Sequence, residues 1–134
     1  MAIRSLPFAS VELRAPFWRA RQRDRAEAAL LAQWQHLEAA GTIDNFRIAA
    51  GRRSGPRRGL FFVDSDAHKW ADAAARTLQL VELPPVATHL DELIDVVAAA
   101  QAEDGYVFTY NQVHFPGTRW STCRSSASST ATAT

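Results

Sequence analysis

The chain has 134 residues, 47% of them apolar, and 15 Lys and Arg against 14 Asp and Glu leave a net charge of +1. That is one small domain or part of a larger one, too apolar for a disordered chain and too evenly charged to be drawn to nucleic acid or an anionic membrane. The single cysteine, Cys123, excludes an intrachain disulfide and offers no metal-ligand spacing, and no apolar run reaches the ~20 residues a membrane-spanning helix needs.

Met1 to Pro7 has no apolar stretch behind a basic one, so no secretory signal is legible and the expected location is the cytoplasm. Ser10 to Leu13 alternates polar and apolar side chains and reads as a short extended segment before Pro16. From about Phe17 the pattern is helical. Ala26, Leu30, Trp34 and Leu37 share one face, and Gly41 is a natural stop. Thr42 to Gly59 carries Gly, Pro and Arg and reads as a long loop, with Arg52, Arg53, Arg57 and Arg58 as a solvated basic cluster.

Leu60 to Val63 is a short apolar run leading into Asp64-Ser65-Asp66, which contains good helix-capping residues. A helix then runs to about Leu80, with Trp70, Ala74 and Leu78 on one face, and Pro84-Pro85 bars its continuation. The next helix starts near Thr88, places Leu90, Leu93, Ile94, Val97 and Ala98 at core spacing, and ends before the Asp104-Gly105 turn. Tyr106 to Tyr110 reads as extended. Ser121 to Thr134 is almost wholly Ser, Thr and Ala and is expected to be disordered. The expected architecture is all-α: about three main helices, short extended segments and irregular loops. The expected division is 1–120 as the folded part and 121–134 as a low-complexity tail.

Five segments, in order, carry a resemblance. They are Val11-Glu12-Leu13 with Phe17-Trp18; Gly41-Thr42-Ile43-Asp44-Asn45-Phe46-Arg47 through Ala49-Ala50-Gly51; Phe62-Val63-Asp64-Ser65-Asp66 with Lys69-Trp70; Ala100-Gln101, Asp104-Gly105-Tyr106 and Thr109-Tyr110; and Pro116-Gly117 with Arg119-Trp120. Together they resemble the N-terminal part of the catalytic domain of glycoside hydrolase family 127, the β-L-arabinofuranosidase-like family. The resemblance implies a segment of an α/α barrel whose inner helices line a sugar pocket. In the full-length family it implies retaining hydrolysis of terminal β-L-arabinofuranosides. It also implies a cysteine nucleophile held on zinc by further cysteines and a glutamate, with a second glutamate as acid/base. Zinc keeps such a thiol deprotonated.

Those residues come after the last matching motif, and Cys123 aligns with no zinc ligand. No catalytic residue and no metal ligand is therefore carried over, and no cofactor is expected in this chain; zinc is expected only in full-length members. After the Arg-Trp motif the family continues with a sequence like Leu-x-x-x-His-Glu-Leu-Tyr-Cys-x-Gly-His. Synonymous codons for the tail can be chosen so that a shifted frame restores most of it, except the first His. The expectation is a frameshifted tail, and the nucleotide sequence decides it.

Four residues are candidate substrate contacts: Asp64, Asp66, Tyr106 and Tyr110. The two aspartates could act as paired carboxylates, although capping and charge-complementing a helix N-terminus is the favoured role; the two roles are compatible. Tyr106 and Tyr110 are better candidates for a pocket wall than Trp34 and Trp70, which lie on core stripes. Asn45 and Arg47 either anchor the loop or reach substrate. His36, His68, His89 and His114 have no ligand spacing with a carboxylate. Two functions stay in view. One is a hydrolase fragment, inactive alone, whose full-length relatives act on an arabinose-containing glycan and whose exposed apolar helix faces would favour self-association. The other is a small helical carbohydrate-binding or interaction module.

Overall fold

The computed structural model describes residues 6, 10–12 and 14–118. Among these residues five helices follow in order: α1 (Pro16–Ala40), α2 (Thr42–Ala49), α3 (Asp64–Leu78), α4 (Pro84–Ala100) and α5 (Thr109–His114). No strand occurs among the described residues. The long helices α1, α3 and α4 are the three expected. The Arg119-Trp120 motif, Cys123 and the low-complexity tail lie outside the described residues.

Helix α1 opens on Pro16, whose missing N–H and fixed φ suit a first helical position. It buries Ala26, Leu30 and Trp34. Gly41 ends it at φ 79°, and its N–H reaches back to the carbonyls of Leu37 and Glu38. The same glycine starts α2, because Asn45 N–H donates to its carbonyl. A Cβ at Gly41 would lie 2.6 Å from Arg58 Cδ. Gly41→Ala is therefore expected to cost ~1–2 kcal/mol for the left-handed backbone alone, read as a lower urea midpoint at unchanged slope; an unchanged midpoint would refute it.

Helix α2 corrects the long-loop expectation. Ile43 and Phe46 are fully buried, one turn apart on one face. The glycines, the proline and the Arg52, Arg53, Arg57 and Arg58 cluster that suggested a loop all fall after Ala50. Pro84 and Pro85 likewise begin α4 rather than only ending what precedes it. The core face of α4 is accordingly Val86, Leu93, Val96 and Ala100. Of the expected stripe, Leu93 is buried and Leu90 and Val97 are half-buried, while Ile94 and Ala98 are exposed. Only the end of the expected 106–110 extended segment is helical, since Phe108 keeps extended angles and α5 begins at Thr109.

The core forms where α3 packs on α1 and α4, and α2 packs across α1, α4 and α5. Trp34 and Trp70 meet at 4.8 Å between ring centroids, and Trp70 Nε1 donates to the Leu30 carbonyl at 2.9 Å. On the polar side Arg47 of α2 donates to Glu38 of α1 at 2.7 and 2.8 Å and to Asp44 at 2.8 Å, and it also pairs with Glu92 of α4. These carboxylates, Glu38 foremost, push the guanidinium further toward its charged form. Arg53 pairs with Asp44 as well. Burial opposes the charge on Asp44, but Arg47 and Arg53 outweigh it and hold the carboxyl below its usual range. A depressed carboxyl stabilises the fold fully above its unfolded value, and that contribution fades as pH falls below about 4. Asp44→Asn should flatten this acid limb in urea melts taken from pH 6 to 3. A variant that retains the full wild-type slope would contradict the assignment.

Candidate functional site

The N-terminal ends of α3 and α5 meet around one buried guanidinium. Arg57 was expected in a solvated cluster, yet its side chain has no exposed surface. All five of its N–H groups are engaged. Nε donates to Thr109 Oγ1 at 2.9 Å, Nη1 to the carbonyls of Arg58 and Gly59 at 3.3 and 3.0 Å, and Nη2 to the Leu60 carbonyl at 3.1 Å and Asp64 Oδ1 at 3.3 Å. The other three arginines of the cluster are exposed: Arg52 pairs with Asp95, Arg53 with Asp44, and the backbone of Arg58 is held by Asn45. The buried Asn45 amide donates to the Arg58 carbonyl at 2.9 Å and accepts from its N–H at 2.8 Å. The loop is thus fastened rather than free, and Asn45 is its anchor.

Asp64 completes the cluster. Its Oδ2 accepts from the Thr109 N–H, and its Oδ1 from the Thr109 hydroxyl, both at 2.7 Å. Its own helix α3 has no side-chain cap hydrogen bond. Asp64 therefore satisfies the first amide of α5, a helix 45 residues further along. Sequence position pointed to capping, while the helix actually capped is set by the tertiary fold.

Tyr110 lies directly over this cluster, with Arg57 Cζ 5.2 Å from its ring centroid. Around Tyr110 stand Phe61, Phe115, His114 and Phe108, at centroid distances of 6.4, 5.8, 5.0 and 6.1 Å. Phe61, Phe62 and Phe115 are 44, 49 and 41% exposed, so the rim is an open aromatic surface. Beside it a cleft of about 250 Å³ is walled by Ala49, Tyr106, Asn111 and Phe115. Tyr106 is placed there by the Asp104-Gly105 turn, in which Gly105 adopts φ 86° and the Tyr106 N–H donates to Asp104 Oδ1. Gln112 fastens α5 to the end of α4 by donating to the Ala100 carbonyl at 2.7 Å.

Three of the four nominated residues therefore share one region: Asp64 beneath it, Tyr110 on its rim, and Tyr106 in the adjoining cleft through the common wall Phe115. Asp66 does not join them. It is exposed, pairs with Lys69 at 3.3 Å, and borders a separate groove with His36 and Trp70. The two aspartates are not a catalytic pair in this geometry. Sequence reasoning missed Arg57 and Thr109. The available signal was the alternation of small and basic residues before Leu60, which carries no mark of which arginine is buried.

Among the described residues no group of three His, Cys, Asp or Glu side chains could hold a metal ion. The described residues do not fit the zinc centre that the family resemblance implies, and no step through a metal is derived from them.

The described residues form an all-helical unit of the kind found in one segment of an α/α barrel. The family described as β-L-arabinofuranosidase, GH127 catalytic domain, matches residues 10–131, and the chain belongs to it. The non-reducing end β-L-arabinofuranosidase of Bifidobacterium longum subsp. longum is 28% identical over 123 residues, covering 78% of this chain and 19% of the relative. A crystal structure of a GH127 β-L-arabinofuranosidase from Geobacillus stearothermophilus T6 superposes with a TM-score of 0.78 at 33% identity, covering 84% of this chain and 19% of that one. A second GH127 β-arabinofuranosidase structure gives a TM-score of 0.68 at 29% identity, covering 79% and 17%. The chain spans about a fifth of the length of these relatives.

Proposed function

We infer that this chain supplies the N-terminal part of a family 127 catalytic domain, residues 1–120, and contributes one wall of an arabinofuranoside-binding site without performing hydrolysis itself. The observation that carries this reading is the Arg57–Asp64–Thr109 cluster with Tyr110 above it, in a fold that matches GH127 enzymes. Tyr110 and Tyr106 offer aromatic faces to sugar C–H surfaces, and Asp64 acts from below by fixing the start of α5. The matching partner is an arabinose-containing glycan, the location is the cytoplasm, and residues 121–134 form a low-complexity tail. Zinc belongs to a longer relative rather than to these residues. Among the described residues, no helix is long and apolar enough to cross a membrane.

A hydrolysis assay on an aryl β-L-arabinofuranoside, with zinc added, should show no turnover above buffer. Any turnover would overturn this reading, and turnover that survives Cys123→Ala would mean that the reacting groups lie elsewhere in the chain. Titration with arabinose-containing oligosaccharides should produce a saturable change in tryptophan fluorescence, weakened at least tenfold by Tyr110→Ala, which corresponds to ~1.4 kcal/mol. Exposed Leu60, Phe62 and Ile94 support self-association, to be read by sedimentation velocity across a concentration series. The nucleotide sequence beneath 121–134 tests the shifted frame: no downstream frame encoding the rest of the domain would end that idea.

A second reading rests on the core, in which thirteen buried apolar residues among those described join α1 to α4. A chain with its own core can act as a small helical carbohydrate-binding module. A sharp cooperative thermal melt from a monomer favours this module; a broad melt from an associating species favours the fragment.

A further inference from the structure

His89 sits in α4 with its ring stacked on Trp34 of α1, at 4.6 Å between centroids and 19° between planes. Its Nδ1 is buried and has no hydrogen-bond partner. A buried ring nitrogen without a partner is costly, and in a histidine it becomes a donor on protonation. Glu92 Oε2 lies 3.9 Å from it, one turn along α4. The other oxygen of Glu92 is held by Arg47 of α2.

We propose that His89 is a proton-operated latch at the junction of α1, α2 and α4: protonation gives Nδ1 a hydrogen that draws Glu92 toward it and away from Arg47, while the imidazolium tightens on the Trp34 face. Closing 3.9 Å to a charge-assisted hydrogen bond of about 2.8 Å moves the carboxylate by roughly an ångström. Arg47 can release it without being stranded, because Glu38 and Asp44 still hold the guanidinium. An imidazolium stacked on an indole gains a cation–π attraction that the neutral ring lacks. Glu92 on α4 is the charged group beside His89, Arg47 on α2 links it to Glu38 on α1 and to Asp44 on α2, and α3 packs the uncharged ring of Trp70 against Trp34. The inference is independent of the sugar site, which lies at the starts of α3 and α5.

The test is a titration of the full chain between about pH 5 and 8, where histidine changes charge. Tryptophan emission should fall in one step on acidification. The step should vanish in His89→Gln and in Trp34→Phe, and it should move to lower pH in Glu92→Gln. The Arg47 Nε–H resonance should shift with the same midpoint as the His89 imidazole. If the emission step persists unchanged in His89→Gln, then His36, His68 or His114 is its source and the latch is wrong. An Arg47 resonance that stays still while His89 titrates overturns the transfer of Glu92. Should His89→Gln fail to fold, the wild-type imidazole and Arg47 resonances decide the matter alone.

Discussion

Arg57→Ala is expected to lower the stability of the chain by ~3–5 kcal/mol, the range for removing one partner of a buried ion pair. Small domains hold only ~5–15 kcal/mol in all, so the variant should be largely unfolded at modest urea concentrations. The reason lies in what is left behind. Asp64 remains 6% exposed, with a charge answered only by the Thr109 hydroxyl and amide. The Gly59 carbonyl loses its donor in the same step, and the Arg58 and Leu60 carbonyls are left with the Asn45 amide and the Val63 N–H alone. Arg57→Lys should recover little, because an ammonium has three donors from one point and cannot span the five acceptors. Arg57→Met paired with Asp64→Leu should be far milder than the sum of the two single changes, since it removes both charges together. Chemical denaturation of the four proteins forms the cycle. If Arg57→Ala costs under ~1 kcal/mol, as exposed pairs do, the cluster does not hold the starts of α3 and α5 together.

The three long helices were legible because their buried faces are written in periodic apolar residues: Ala26, Leu30 and Trp34 on α1, Trp70 and Ala74 on α3, and Leu93 on α4. The glycine stop at Gly41 and the Asp104-Gly105 turn were legible because their backbone angles require those residues. Helix α2 was not legible, since eight residues give barely two turns of pattern and the following Arg-Gly stretch diluted it. The start of α4 was misplaced because proline both blocks a preceding helix and suits the first turn of the next one. Ile94 and Ala98 looked like core because apolarity does not say how a helix is rotated toward its neighbours.

The candidate site was half legible for a related reason. Tyr106, Tyr110 and Asp64 stood out by type and by their place beside turns and helix starts. Their association required contacts 45 and 52 residues apart, from Asp64 and Arg57 to Thr109, which no local pattern encodes. Asp66 was nominated on the same grounds as Asp64. Two residues along a helix turn a side chain by about 200°, and that rotation carries one aspartate inward and the other to solvent.

Trp70→Ala should cost ~3–5 kcal/mol, the range for a large aromatic removed from a core. Trp70 is 3% exposed and ties α3 to α1, packing at a tilt against Trp34 and donating to the Leu30 carbonyl. Its loss leaves a void between α1 and α3 that neighbouring side chains cannot fill without moving a helix, because folded interiors are already close-packed. Trp70→Phe separates the two contributions. The phenyl ring keeps most of the apolar contact and loses the N–H, so the change should be nearer the ~0.5–1.5 kcal/mol of one hydrogen bond, with some added cost for lost volume. The Leu30 carbonyl still lies within the α1 ladder and is not stranded by that change, which keeps the phenylalanine variant mild. Equal losses in the two variants would mean that the hydrogen bond, rather than the packing of the indole, holds α3 against α1.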